Sequence, residues 1–332
     1  MEIKGILISS VAVFENHIAN GGEKLLGNAS SIKRRPDGKV YVSGQMQRHV
    51  LFSAIDRLNQ KAKQERNQKS KEERKYSSST DETKKTDITK TFVSNGDGVS
   101  NQIELDIRAD LGGFMHPSKG DYSGRRTAPL SVTPAVALSQ SEIGRDLLVR
   151  LKQNPNESNQ KQALATKEFS EYDLMHMNFF LDISSVGCSK VFEYENNFHI
   201  NTEFIKHTVE EERIRRVNLF VEATRSMNDY ASQARNAVSG EPQKVLIVFD
   251  SKLSRKASRY YTGNDTEKEN ILNELKSRGA EFFLGDDTQG ETSVYDAYKK
   301  AFEFLQKEDN SLYDPNNGDD NIQTFAEAFE IE

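Results

Sequence analysis

Two aspartates four residues apart, Asp106 and Asp110 in the run DIRADLGGFM, are the groups best placed by type and spacing to do chemistry. A carboxylate pair of this kind could hold Mg²⁺ for phosphodiester cleavage. Neighbouring acids more often cap a helix or pair with a cation such as Arg108, and that reading is preferred. The six histidines, His17, His49, His116, His176, His199 and His207, are scattered, with no HExxH and no paired His/Cys spacing for a metal. No GxSxG elbow, Walker loop or strand-linked GxGxxG is present, so acyl transfer and nucleotide-dependent phosphoryl transfer lack support. No catalytic residue, metal or cofactor is therefore expected. A single cysteine, Cys188, excludes an intramolecular disulfide and reads as a small buried hydrophobe.

Residues suited to binding an anion are more conspicuous. Basic patches lie at Lys33, Arg34 and Arg35, at Arg48 and His49, at Arg125 and Arg126, and across Lys252–Arg259. Ser43 is a plausible N-cap, and the helix begun by VSGQMQRH would turn its free N–H groups, with Gln45, Arg48 and His49, toward phosphate. The arginine pair Arg125–Arg126 precedes the apolar run TAPLSVTPAVAL, where guanidinium groups at a rim suit phosphate, although exposed arginines are also ordinary surface residues. Gly112 and Gly113 allow close backbone approach, and Phe114 and Met115 offer either a stacking surface or two core side chains.

The formal net charge of −6 argues at first against a polyanionic partner. Its distribution reverses that inference. Ala301–Glu332 holds nine acidic residues against one basic, which leaves the rest of the chain at +2. With 35% hydrophobic and 29% charged residues in 332, a compact body with polar excursions is expected. No stretch is apolar enough to cross a bilayer and no signal peptide is visible, so a cytoplasmic protein without membrane contact is expected.

The elements that must carry these residues read as follows. Ile3–Phe14 is an opening strand, then a glycine-containing loop, the turn Pro36-Asp37-Gly38 and a short strand Lys39–Val42. A helix follows Ser43, with Met46, Val50, Leu51, Ile55 and Leu58 at helical spacing. Gln60 to about Thr91 is half charged, with serines at Ser77–Thr80, and reads as a solvated excursion. Gln140–Tyr172 reads as a projection whose ends return to one place, with a short helix near Ile143–Leu151. Asn178–Val186 and Lys190–Ile200 suggest a hairpin across Gly187. Thr208 with Glu211 suggests a capping box for a long helix whose stripe runs Ile214, Val217, Val221, Met227, Ala231, Ala234 and Val238. A strand Lys244–Asp250, a second capping box at Thr266 and Glu269, a strand Ala280–Leu284 and a helix Val294–Leu305 complete the order. The acidic end after Lys307 is expected to be mobile or to lie on a partner.

Strand, helix, hairpin, helix, strand is the order of an α+β, ferredoxin-like or RRM-type fold, whose open sheet face commonly meets single-stranded RNA. The implied division is a palm from 1–59 and 173–307, a charged insert 60–104, a glycine turn and apolar return segment 105–138, a projection 139–172 and an acidic tail 308–332.

Four segments, EIKGILISSVAVFENHIANGG, VSGQMQRH, ADLGGFM with RRTAPLSVTPAVAL, and NFFLDISSVG, together resemble the DevR-type backbone subunits of type I-B CRISPR Cascade, within the wider Cas-seven family. That resemblance implies an RRM-like palm, helical fingers from the insert and a thumb at 139–172. It implies copies of the chain in a row along a guide RNA, with other Cascade subunits as partners and target DNA recognised through the guide. Lys33, Arg34, Arg35, Ser43, Gln45, Arg48, His49, Arg125 and Arg126 become candidates for RNA contact, and Phe114 and Met115 for base wedging. An RNA-processing endoribonuclease on a similar fold is the alternative it leaves open.

Overall fold

The computed structural model describes residues 1–20, 23–24, 29–69, 90–95, 102–115, 125–152, 161–316 and 321–329. Gly21, Gly22, Gly27, Ser77–Thr80 and most of the 60–104 insert lie outside them, as do the side chains of Met115 and Arg125.

The chain opens with β1 (Glu2–Ile3) and the 13-residue β2 (Gly5–His17), then the short β3 (Glu23–Lys24), β4 (Ala29–Ser31) and β5 (Tyr41–Val42). Next come α1 (Gly44–Lys69), α2 (Ile107–Gly112), β6 (Phe114–Met115), β7 (Arg125–Arg126), β8 (Leu130–Val132) and β9 (Ala135–Ala137). Two hairpins follow, β10 (Ile143–Lys152) with β11 (Lys161–Asp182), and β12 (Cys188–Glu195) with β13 (Phe198–Lys206). The remainder is α3 (Glu210–Ala223), β14 (Pro242–Asp250), α4 (Asp265–Ser277), β15 (Glu281–Asp286), α5 (Val294–Leu305), β16 (Ser311–Leu312) and α6 (Phe325–Ala328). No helix among the described residues is long and apolar enough to cross a membrane.

The fold is α+β, built on one large sheet in the order β15–β14–β2–β11–β4–β3, with β8, β9 and β10 also paired to β11 and β5 paired to β9. Helix α1 carries the chain from β2 toward β8 and β9, and α3 carries it from β11 to β14. The period-2 alternation of β2 separates two cores. Ile6, Ile8, Ala12 and Phe14 join Val50, Leu51, Phe52 and Ile55 of α1 and Val217, Phe220 and Val221 of α3 on one face. Each such large side chain contributes roughly 1.5–3 kcal/mol by leaving water. On the opposite face Leu7, Phe180, Leu246 and Val248 pack under Ile271 and Leu275 of α4.

Several local expectations give way to the observed pairings. Ile143–Leu151 is strand, not helix, because it zips along β11 in continuous register from Ile143↔Ser170 to Lys152↔Lys161. β12 pairs with β13, not with Asn178–Val186. The cause is the turn Asn196-Asn197, both at positive φ (49° and 68°), the type I′ geometry that asparagine tolerates. The long helix stops at Ala223: Thr224, Ser226, Asn228 and Asp229 are weak helix formers, and Met227, Tyr230 and Val238 are buried from irregular chain instead. The Thr208–Glu211 capping box does not form. Val209 is the N-cap, while Thr208 is buried against Gly187. The second capping box sits two residues earlier than expected, at Asn264 and Glu267.

The described residues of the acidic tail pack on the body of the chain. Ser311–Leu312 runs parallel to Glu2–Ile3, Lys206 Nζ meets Asp314 at 2.6 Å, and Phe325 is buried against Phe114, His207 and Phe329.

Candidate nucleic-acid interface

The α1 start is assembled as an exposed helix entrance. Ser43 Oγ accepts the N–H of Met46 at 3.2 Å, and the Ser43 N–H donates to Asn20 Oδ1 at 3.2 Å. Gln45 and His49, one turn apart, face solvent. Arg48 points the other way. Its guanidinium donates to the carbonyl of Gly112, lies 3.5 Å from that of Gly113 and stands over the Phe52 ring. Burial, then repulsion from Arg108, lowers its pKa. Arg48 therefore clamps the glycine turn through Nη2.

The loop carrying Lys33, Arg34 and Arg35 is folded back by Gly38, at φ 81°, so that Arg34 bridges Val40. Arg35 is exposed, Lys33 is half-exposed, and Arg34 reaches Glu168 only at a long 3.5 Å. Beside it opens a groove of about 710 Å³ on the sheet face away from α1 and α3. Arg34, Arg35 and Lys39 line one side, with Tyr41, His176 and Tyr261 along the walls. The chain crosses the sheet edge at β5, where Tyr41 turns to the groove and Val42 to the core. Basic loop and helix entrance thus flank the same edge.

Arg126 departs from its expected role. It is buried, and its donors are taken by Asp110 O at 3.0 Å, Cys188 O at 2.8 Å, Ser189 Oγ at 2.9 Å, Ser185 O at 2.6 Å and the Asp110 carboxylate. Asp110 in turn accepts from Arg216 Nη1 at 2.7 Å and from the Gly187 N–H at 3.0 and 3.1 Å. Burial works against the charge of Arg216, but Asp110 and Glu212 outweigh it and raise its pKa. Asp106 caps α2, accepting from Arg108 N at 3.0 Å and Ser94 N at 3.1 Å. Asp110 is thus occupied by the fold and Asp106 caps through Oδ1 alone, its Oδ2 buried without a hydrogen-bond partner, and among the described residues no cluster of His, Cys, Asp and Glu suits a metal. Cys188 is buried, which pushes its thiol up to about 11.

Phe114 is half-buried edge-on to Phe325, 5.5 Å between ring centres, so it is tied to the tail and does not stand as an open wedge.

The sequence reading passed over Lys39, Tyr41, His176, Asn178 and Tyr261. The signal was the alternation MHMNFFLD: Met175, Met177, Phe179 and Leu181 face the core, which leaves His176 and Asn178 facing the groove. His176 Nε2 lies 3.1 Å from Ser9 Oγ, and burial lowers its pKa to about 4 against a smaller opposing effect of Asn178. It is neutral in the fold near pH 7. Because the unfolded chain takes up this proton near pH 6.5, the contribution of His176 to stability is present above that pH and lost as pH falls toward 4. In urea unfolding over that window, the pH slope of His176→Gln should be shallower than wild type, by at most about 1.4 kcal/mol per pH unit. Equal slopes would refute a buried neutral His176.

Comparison with known proteins bears on what such a surface serves. No curated protein matches the sequence. Among solved structures, a chain of a CRISPR RNA-guided surveillance complex described as pre-nicking aligns with a TM-score of 0.51 at 11% identity, covering 91% of this chain and 98% of that one. A chain of another CRISPR RNA-guided surveillance complex aligns at 0.48 and 14% identity, covering 88% and 92%. The former likeness extends to the fold. The model of the family described as CRISPR-associated negative auto-regulator DevR/Csa2 matches residues 8–240, more than half of the sequence, and the chain belongs to that family.

Proposed function

We propose that this chain is a non-catalytic backbone subunit of a CRISPR effector complex, holding guide RNA by its sugar-phosphate backbone while the bases stay readable by target DNA. The observation that carries this reading is the groove at the sheet edge. It joins three cations, Arg34, Arg35 and Lys39, to the rings of Tyr41 and Tyr261, next to the exposed Gln45 and His49 of the α1 entrance. Cations that track phosphate beside aromatic faces that stack on any base give binding without sequence preference. The order β14–β2–β11–β8, with α1 and α3 as crossovers, is that of a split βαβ palm and supports the RRM-type reading. In this reading the thumb is the ribbon β12–β13, not 139–172. The ribbon is a separate sheet, and Phe192, Tyr194 and His199 form an exposed ring cluster on it. Asp106 and Asp110, committed to capping and to buried arginines, suit a subunit that leaves RNA intact.

The test is binding of two single-stranded RNAs of unrelated sequence across a salt series. Arg34→Ala/Arg35→Ala should weaken both equally and flatten the slope of log affinity against log salt by roughly 0.7 for each phosphate no longer neutralised. At this exposure each arginine–phosphate pair should be worth about 1 kcal/mol. The RNA should be recovered whole in the presence of Mg²⁺. No affinity in the wild type, weakening confined to one RNA, or cleavage would overturn the proposal.

A further inference from the structure

We infer that the C-terminal segment 322–329 is a latch closed over Phe114 and the foot of the β12–β13 ribbon, and that RNA entering past the α1 entrance displaces it. The inference rests on the backbone-subunit reading and gives that binding surface a competitor within the same chain.

One side chain anchors the segment. Phe325 is buried, and with Ile103 and Ala109 it forms a small core separate from the two that hold the sheet. Its ring centre stands 5.5 Å from that of Phe114, 5.7 Å from His207 and 4.6 Å from Phe329. A few polar contacts fix the approach. Ile322 bridges Lys206, the Gln323 N–H donates to Lys206 O at 3.0 Å, and Gln323 O lies 2.8 Å from His207 Nδ1. The Phe325 N–H donates to Glu104 Oε2 at 3.3 Å. Helix α6 has only four residues, closed by the Thr324–Glu327 capping box, and a helix that short does not persist without its anchor. Burying one phenylalanine favours the closed state by about 10- to 100-fold, which a ligand of ordinary affinity can overcome.

The latch closes where a nucleic acid would meet it. Phe114 directly follows the glycine turn that Arg48 clamps at the α1 entrance, beside the exposed Gln45 and His49. Phe325 and Phe329 also wall a groove of about 560 Å³ whose other side holds Lys190, Phe192 and Tyr194 of the ribbon. Rings of this kind stack on bases. From residue 314 to residue 332 the chain has six acidic residues and no basic one, so the closed segment repels the phosphates that accompany such bases. Closure also sets acid against acid. Burial raises the pKa of Glu104, bonds from its own backbone and Phe325 and the charge of Arg216 oppose the rise, and the charge of Glu327 adds to it. A single aromatic anchor under an acidic segment holds in the free chain and yields to a polyanion, and its release bares Phe114.

The chain has no tryptophan, so full-length Phe325→Trp reports on this socket alone. Without RNA its emission should be that of a shielded indole; on titration with single-stranded poly(U) it should shift to the red and become open to acrylamide. Phe325→Ala, which empties the socket, should bind poly(U) about tenfold or more tightly than wild type, because a competent state that is only fractionally populated weakens apparent affinity by that fraction. Phe325→Leu refills the socket and should bind as wild type does. A merely structural anchor has the opposite sign, since loosening a site weakens what it binds. An indole exposed before RNA is added, or one still shielded with RNA bound, overturns the latch. So does a Phe325→Ala chain, folded by circular dichroism, that binds no more tightly than wild type; in each case RNA binding by wild type leaves the backbone reading standing. Should Phe325→Ala not fold, the tryptophan decides alone. If no form of the chain binds RNA, the backbone reading fails and the latch with it, whereas binding by Phe325→Ala alone supports both.

Discussion

Asp110→Ala should destabilise the fold by about 3–5 kcal/mol, the range expected when one partner of a buried ion pair is removed and the other is left behind. Asp110 is fully buried between two guanidinium groups, those of Arg126 and Arg216, and it also accepts the backbone N–H of Gly187. Removing the carboxylate strands two buried cations, of which Glu212 reaches only Arg216. It also orphans an N–H at the turn between β11 and β12. Asp110→Asn should lose somewhat less, because the amide oxygen still accepts one bond but the charge is gone. Urea unfolding followed by circular dichroism checks both. A loss below about 1 kcal/mol would show that the carboxylate is not the hub of this cluster. The result also separates two roles for Asp110, since an acid kept for binding a metal repels its neighbours, and its loss commonly leaves the empty protein no less stable.

The same cluster explains which parts of the site were legible in the sequence. Strand β2, the α1 entrance at Ser43, strands β14 and β15 and helix α5 follow from local periodicity and capping, and each was recoverable from a short window. The groove residues Lys39, Tyr41, His176, Asn178 and Tyr261 come from separated segments, and only the pairing of β5, β9 and β11 brings most of them together. Arg126 looked like a rim cation because sequence shows a charge but not its partners; Asp110, Ser185 and Cys188 reach it from 16, 59 and 62 residues away. The hold of Arg48 on the Gly112 carbonyl was hidden for the same reason. The β12–β13 ribbon was hidden by a different cause, an Asn-Asn turn that reads as ordinary polar chain and a glycine at 187 that reads as the hairpin turn.

What these buried arginines hold is the relation between the palm and everything that leaves it. Arg126 ties α2 to the start of β12, Arg213 ties α3 to the carbonyls of Ile183, Val186 and Tyr313, and Arg216 ties α3 to those of Ile103 and Glu104. Guanidinium suits this task because its planar fork satisfies several carbonyls at once where the chain changes direction. The ribbon, the glycine turn and the tail are therefore all oriented by one polar cluster. A change there reaches surfaces that no mutated residue touches.

Gly113→Ala should cost several kcal/mol more than the comparable change at another positive-φ glycine, Gly279→Ala. Gly113 lies at φ 62° and ψ 170°, a region nearly confined to glycine, where strain amounts to about 1–3 kcal/mol. An added Cβ would also stand 2.4 Å from Arg126 O and 2.7 Å from Ala128 N. Both are backbone atoms, so the β6–β7 pairing of Phe114 with Arg126 must move to make room. Overpacking of this sort costs roughly another 1–3 kcal/mol. The shift would also pull the carbonyl of Gly113 and its neighbour Gly112 away from Arg48, freeing a half-buried guanidinium at the α1 entrance. Gly279, at φ 71°, has nothing within 4 Å of an added Cβ and should show the left-handed penalty alone, about 1–2 kcal/mol. Thermal and urea unfolding of the two variants side by side measures the difference directly. If both lose the same amount, the close approach of the glycine turn to the β7 backbone is not fixed in solution, and the turn does not set the position of Phe114.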